Sequence, residues 1–331
     1  MRALLIVNPN ATATTPAARD LLAHALESRM HLTVAHTQHR GHAGELAAWA
    51  AANGMDLIVV HGGDGTINEA INGYLPPPGA DLPKHAPKIA VLPGGSANVF
   101  ARSLGIDPDP VVATNQLIDL LPVDAHRRVG LGWADFSASA PPAYDLSAPT
   151  SRYFAFNAGL GLDARVCATI EKGRDRGHTA TPVRYLRTTV LEFFRNKRRE
   201  PLLSVQIPDE DRVEGVHYAF VSNSSPWTYL DTRPICTNPD TTFDTGLGLF
   251  AMRTTSVPRT LRVAGQLLRK GAKPKSPHLV RRDDIPRVSI RAQEPVACQI
   301  DGDYLGDPTA ADFLAVPWAL DVVAPLPEPR T

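Results

Sequence analysis

DLIVVHGGDGTINEAING, residues 56–73, passes from an unbroken apolar segment through Gly62, Gly63 and Gly65 into a segment with helical spacing. Leu57 to Val60 show no polar alternation, which reads as a strand, within 56–63, buried on both faces. The run from Thr66 to Tyr74 reads as a helix. Glycines at the junction lack a Cβ, so the backbone can approach an anion closely. The helix N-terminus behind them offers free N–H groups and the positive end of a dipole. Asp64 stands where a phosphate-bound Mg²⁺ or an acceptor hydroxyl would be met. The alternative is a plain tight turn in which Asp64 or Thr66 caps the helix.

Working outward, a second glycine pair lies in LPGGSAN at 92–98, after the apolar strand of KIAVLPGG (88–95) and before a helical run from Val99 to Leu104. Two such turns at the carboxyl ends of parallel strands face one crevice, where open sheets of this kind bind ligands. A glycine turn capped by Ser96 or Asn98 is the competing reading. Towards the N-terminus, ALLIV (3–7) and HLTVAHT (31–37) read as strands, and 16–28 and 44–53 as helices. Strand and helix alternate, the pattern of a parallel sheet with helices on its faces.

Beyond Pro122 the pattern changes to short strand-like segments: RVGLGWADF, RYFAFNAGL, LLSVQIP, VHYAFVSN, GLGLFAM, RVSIRA and ACQID. Helices fit only about 182–199 and 258–270. The stretch 137–150 reads as a long hairpin loop. With 331 residues the chain has room for two cores. The expected organisation is an α/β nucleotide-binding domain with a parallel sheet over 1–123, to which 312–325 return. A β-rich, mostly antiparallel lipid-binding domain is expected over 124–311.

Taken in order, the chain resembles the diacylglycerol kinase catalytic family of lipid kinases, which includes sphingosine kinases and bacterial lipid kinases. The resemblance rests on VNPNA (7–11), Thr37 with GHAxELA (41–47), GGDGTINEAING (62–73), LPGGSANVFARSLGI (92–106), FNAGLGLDARV (156–166) and QIDGDYLG (299–306). It implies transfer of the ATP γ-phosphoryl group to a lipid hydroxyl, with nucleotide held between the two domains. Matched position by position, the nucleotide would be lined by Asn8, Pro9, Thr37, Gly62, Gly63, Asp64, Gly65, Thr66, Glu69, Gly94, Gly95, Ser96, Asn98 and Asp303. Ser96 stands where the family often has Thr, and Asp303 where it has Glu. A carboxylate must accept the lipid hydroxyl's proton; Asp301 is the first candidate for that base and Asp64 the second. Mg²⁺ would be met by Asp64 and Asp244. The family's acidic loop is reduced here to DTGLG (244–248), so a second, structural metal is not expected.

Lysine and arginine total 34 and aspartate and glutamate 34, so the formal charge is zero, which excludes a uniformly basic nucleic-acid binder. The charge is uneven: 165–199 and 253–291 are both strongly basic, which suits peripheral contact with an anionic membrane surface. Neither Cys167, Cys236 nor Cys298 has a partner at metal or disulfide-motif spacing, so free thiols in a cytoplasmic protein are expected, with any contact at the inner membrane face peripheral. His36, His39 and His42 cluster in a loop and are read as no metal site, and His61 as a packed strand end. The functional expectation is an ATP- and Mg²⁺-dependent lipid kinase acting on a diacylglycerol-like or sphingoid hydroxyl. An NAD kinase-like phosphotransferase or a non-catalytic nucleotide- or anionic-lipid-binding protein are the alternatives. The acceptor and the oligomeric state stay open.

Overall fold

The computed structural model describes all residues except 12–14, 82–84, 140–149, 162–202, 231, 270, 272 and 328–331. The basic 182–199 segment, Cys167 and most of the 137–150 loop therefore lie outside the described residues. The chain divides into two compact units: Met1–Val129 with Trp318–Thr331, and Gly130–Pro317.

In the first unit β1 (Arg2–Val7), β2 (His31–His36), β3 (Leu57–Gly62) and β4 (Lys88–Pro93) form a parallel sheet in the order β2-β1-β3-β4. β3 is buried at all six positions and β1 at all but its first, as their apolar runs require. Helices α1 (Pro16–Glu27), α2 (His42–Ala52), α3 (Asp64–Tyr74), α4 (Val99–Ser103) and α5 (Pro110–Leu120) connect the strands. α2 turns Ala43, Ala47 and Ala50 inward, and its Gly44 meets Gly73 of α3 so closely that a Cβ on Gly73 would strike the Gly44 backbone.

Two helices begin earlier than the spacing predicts. α2 starts at His42 because Gly41, at φ +87°, supplies the left-handed turn before it. α3 starts at Asp64 because Gly63 is still extended. α5 was not expected from the apolar spacing at all, although its signal is plain: Asp109 accepts the Val111 and Val112 amides at 2.8 and 3.1 Å, and Pro110 occupies the first turn.

The second unit is rich in antiparallel strands. One sheet runs β14-β13-β10-β7-β16-β17, built from β7 (Asn157–Leu160), β10 (Tyr218–Ser222), β13 (Leu247–Met252), β14 (Leu279–Ile285), β16 (Cys298–Ile300) and β17 (Asp303–Gly306). A second antiparallel ladder joins β8 (Leu203–Gln206), β9 (Val213–Val216), β15 (Arg287–Ala292) and β18 (Ala310–Val322). β5 (Arg127–Asp135) pairs with β6 (Ser151–Phe154), and β11 (Thr228–Leu230) with β12 (Arg233–Ile235). The core of this unit gathers Phe154, Val205, Leu249, Ile290 and Phe313. α6 (Val257–Leu267) packs Val263 and Leu267 against Phe220, Phe250 and Met252. The segment 152–160 is two strands and not one, bent at Ala155 and Phe156.

β18 belongs to both units: its first part pairs with β15, and at its end Val322 pairs in parallel with Ile89 of β4. The units divide at Trp318, which adopts φ +50° inside the strand.

Candidate functional site

The parallel order β2-β1-β3-β4 sets four strand ends side by side, carrying Thr37, Asn8, Gly62–Gly63 and Gly94–Gly95. The Thr37 amide donates to the Val7 carbonyl at 2.9 Å and the Asn8 amide to His61 at 3.0 Å. Asn8 Nδ2 then donates to Thr66 Oγ1 at 2.9 Å, tying the first strand to the start of α3. The Gly94 amide donates to the Gly62 carbonyl at 2.9 Å.

The glycines are required by this packing. A Cβ on Gly95 would stand 2.7 Å from Gly63 Cα, and one on Gly94 3.1 Å from Gly62 Cα. On Gly62 it would meet the Thr66 side chain at 2.8 Å. The two turns thus lie backbone to backbone.

Asp64 locks them together. Its Oδ2 accepts the Val99 amide and its Oδ1 the Phe100 amide, each at 3.0 Å. It caps α4, not the α3 helix it begins. Neither candidate cap of α4 does this work: Asn98, at φ +48°, turns its side chain back to Gly95, accepting that amide and donating to that carbonyl at 2.8 Å each. Ser96 is exposed. Glu69 lies partly exposed on α3, one residue after the buried Asn68. Pro9 is exposed beyond β1, where the Asn10 amide folds back to Asn8 Oδ1 at 2.9 Å.

His61, the β3 residue preceding the glycines, is 2% exposed. A carbonyl can only accept, so its contact with Leu92 at 3.3 Å puts the proton on Nδ1. Burial lowers its pKa below 6.5, partly offset by that hydrogen bond.

His39, His42 and Glu45 bring their ligating atoms within 4.8 Å of one another. The two rings stack at 4.7 Å, and His42 Nδ1 accepts the Gln38 amide at 3.0 Å. Its proton is therefore on Nε2, and neither nitrogen presents an open lone pair to an ion.

In the second unit Asp301 and Gly302 form a two-residue hairpin loop between β16 and β17, both with positive φ, +48° and +87°. Asp301 is 3% exposed. Its Oδ2 accepts the Ala155 amide at 2.6 Å, and its Oδ1 accepts Phe156 and Asn157 at 3.0 and 3.1 Å. The bend between β6 and β7 thus aims three amides at one buried carboxylate and fixes its orientation. Gln299 supports the loop, accepting the Gly302 amide and donating to Asn157 Oδ1, each at 2.8 Å. Asp303 opens β17, partly exposed. Asp244 is exposed on a turn closed by Thr242 and Thr245, and no group of three ligating side chains among the described residues includes it. Neither the Asp64 cap nor the triple-amide cradle of Asp301 was foreseen from sequence.

Residues 2–126 match the family model described as Diacylglycerol kinase catalytic domain. A protein of Chromohalobacter salexigens named "Probable lipid kinase YegS-like" is 33% identical over 128 residues, 39% of this chain and 38% of that protein. A diacylglycerol kinase of Bacillus subtilis is 42% identical over 72 residues, 22% of each. The chain thus spans well under half the length of these curated relatives. The crystal structure of a diacylglycerol kinase from Bacillus anthracis shares the fold, with a TM-score of 0.68 at 20% identity over 98% of this chain and 97% of that one. The matched domain holds every glycine of the two turns, with Asn8, Thr37, Asp64 and Glu69. No helix among the described residues is long and apolar enough to cross a membrane.

Proposed function

We propose that the chain is a lipid kinase that transfers the γ-phosphoryl group of ATP to a hydroxyl of a diacylglycerol-like or sphingoid lipid. The observation that carries this reading is the backbone-to-backbone packing of Gly62–Gly63 on Gly94–Gly95 at the N-terminus of α3, inside the segment that matches the kinase family model. Such a junction suits phosphate oxygens, because a helix leaves its first N–H groups without intrahelical partners and no side chain stands on the glycines before it. Thr37 and Asn8 border it at neighbouring strand ends, and Thr66 from the first turn of α3.

A phosphate-bound Mg²⁺ fits this junction with one protein ligand. The Val99 and Phe100 amides hold the Asp64 carboxylate in place beside the glycine turns. Mg²⁺ usually keeps waters and phosphate oxygens as its other ligands, and when bound it neutralises charge on the phosphates. Asp244 would add at most a single oxygen.

In the transfer, the acceptor oxygen forms a bond to the γ-phosphorus and the bond to the β–γ bridging oxygen breaks, so ADP leaves. The hydroxyl proton goes to a carboxylate, for which we propose Asp301. Its three amide donors hold it oriented, while Asp64 holds the two turns in register. Asn157 and Gln299 position the Asp301 loop.

The test is transfer of labelled γ-phosphate to diacylglycerol, sphingosine, ceramide and phosphatidylglycerol in mixed micelles. Label in one of these lipids supports the reading. Transfer to none, together with NADP formed from NAD and ATP, would replace it with the NAD kinase reading.

A further inference from the structure

Two outward pairs with the same seven-residue spacing begin on α6 and end at its C-terminal cap. Leu261 and Leu268 are 64% and 43% exposed, and Arg262 and Arg269, one residue on in each case, are also exposed. Seven residues are two turns, so Leu261 stands in line with Leu268, the C-cap; Arg262 lies about 100° further round the axis from Leu261, and Arg269 is the residue just past the cap. Pro258 and Gly265 lie between them on the same outer side and are exposed as well. The opposite side is anchored: Val263 is 3% exposed and joins Leu267 on Phe220, Phe250 and Met252. The helix is therefore held in place by its inner face and does not need its outer leucines for folding.

The segment that holds α6 is cationic. Residues 253–275 contain seven Lys/Arg and no Asp/Glu. Lys273 is paired with Asp240 at 2.6 Å, but among the described residues no carboxylate pairs with Arg259, Arg262 or Arg269. In a chain of zero net charge this is a concentrated positive face.

We propose that the outer face of α6 is a docking surface for an anionic lipid bilayer. Phosphate headgroups would take Arg262 and Arg269, and Leu261 and Leu268 would enter the headgroup–acyl boundary beside them. A nucleic acid would match the arginines but leave both leucines in water, and an apolar protein groove would leave the arginines unmatched. The bilayer interface offers both chemistries in one plane. This does not rest on phosphotransfer, since a chain without turnover would dock in the same way.

The experiment is co-sedimentation of the full chain with phosphatidylcholine vesicles and with vesicles that also contain phosphatidylglycerol, at rising salt. Binding to the anionic vesicles alone, weakening with salt, is expected. Arg262→Gln with Arg269→Gln should lower that affinity roughly thirtyfold. Leu261→Ser with Leu268→Ser should weaken it while leaving its salt dependence in place. Thermal unfolding of both double variants should match the parent, because the four side chains are exposed. The proposal is overturned if both vesicle types bind alike, if either double variant binds like the parent, or if the chain prefers duplex DNA or RNA to the anionic vesicles. It is also overturned if the leucine variant abolishes a dimer and leaves vesicle binding untouched.

Discussion

Gly95 faces Gly63 at a distance no side chain can enter: a Cβ built on the former would lie 2.7 Å from the Cα of the latter. Gly95→Val must push the two turns apart, at a cost of about 1–3 kcal/mol by analogy with overpacked cores. If the turns bind phosphate, ATP affinity falls by roughly tenfold or more. Calorimetric titration with ATP checks this, and an unchanged affinity would place the turns away from the nucleotide.

Asp64→Asn removes one of two acceptors that hold the start of α4, because the amide nitrogen cannot receive the Val99 or Phe100 N–H. Turnover should be abolished and metal–nucleotide binding weakened, with a stability loss of about 1–3 kcal/mol. A variant with full activity would reduce Asp64 to a helix cap.

Asp301→Asn should depress turnover by about 10² to 10⁴-fold, the range that general-base catalysis supplies, with ATP affinity little changed. The substitution also turns an amide group towards one of the Ala155, Phe156 and Asn157 donors, so urea unfolding should show a lower midpoint. Gln299→Leu separates these effects: it removes the support of the Gly302 amide while keeping the carboxylate. It should lower stability and leave more turnover than Asp301→Asn. If the two variants lose turnover equally, Asp301 is structural; if Asp301→Asn loses ATP binding and Asp64→Asn keeps it, the two roles exchange.

His61 predicts a pH dependence of stability. Its folded pKa lies below 6.5, so between the two values the unfolded chain binds more protons than the folded one. Stability from this group is complete above about 6.5 and is lost as pH falls towards the folded pKa. His61→Asn, which retains a donor for Leu92, should flatten that step in urea unfolding from pH 8 to pH 5. An unaltered profile would show that His61 is not the group responsible.

What could be read along the chain was local. Alternating strands and helices, both glycine turns and the strand-rich second half follow from residue order within windows of ten or so, and α5 was within reach through Asp109 and Pro110. The Asp64 cap was out of reach because its partners are 35 and 36 residues away, and the spacing offers a nearer helix to cap. For Asp301 the distance is greater still, 146 residues to Ala155. Its cradle depends on a bend inside a segment whose apolar continuity suggests one unbroken strand.

β18 gives the chain an order of assembly. Emerging from synthesis, residues up to Val129 can lay down β1 to β4, but β4 keeps one edge open until Val322 arrives, after all of Gly130–Pro317 has been made. The first unit is thus the first begun and the last finished, and its final edge is closed by the strand that also ends the other unit. A nascent chain halted before Trp318 would hold both glycine turns on an unsealed sheet, and such an open edge invites pairing with a second nascent copy.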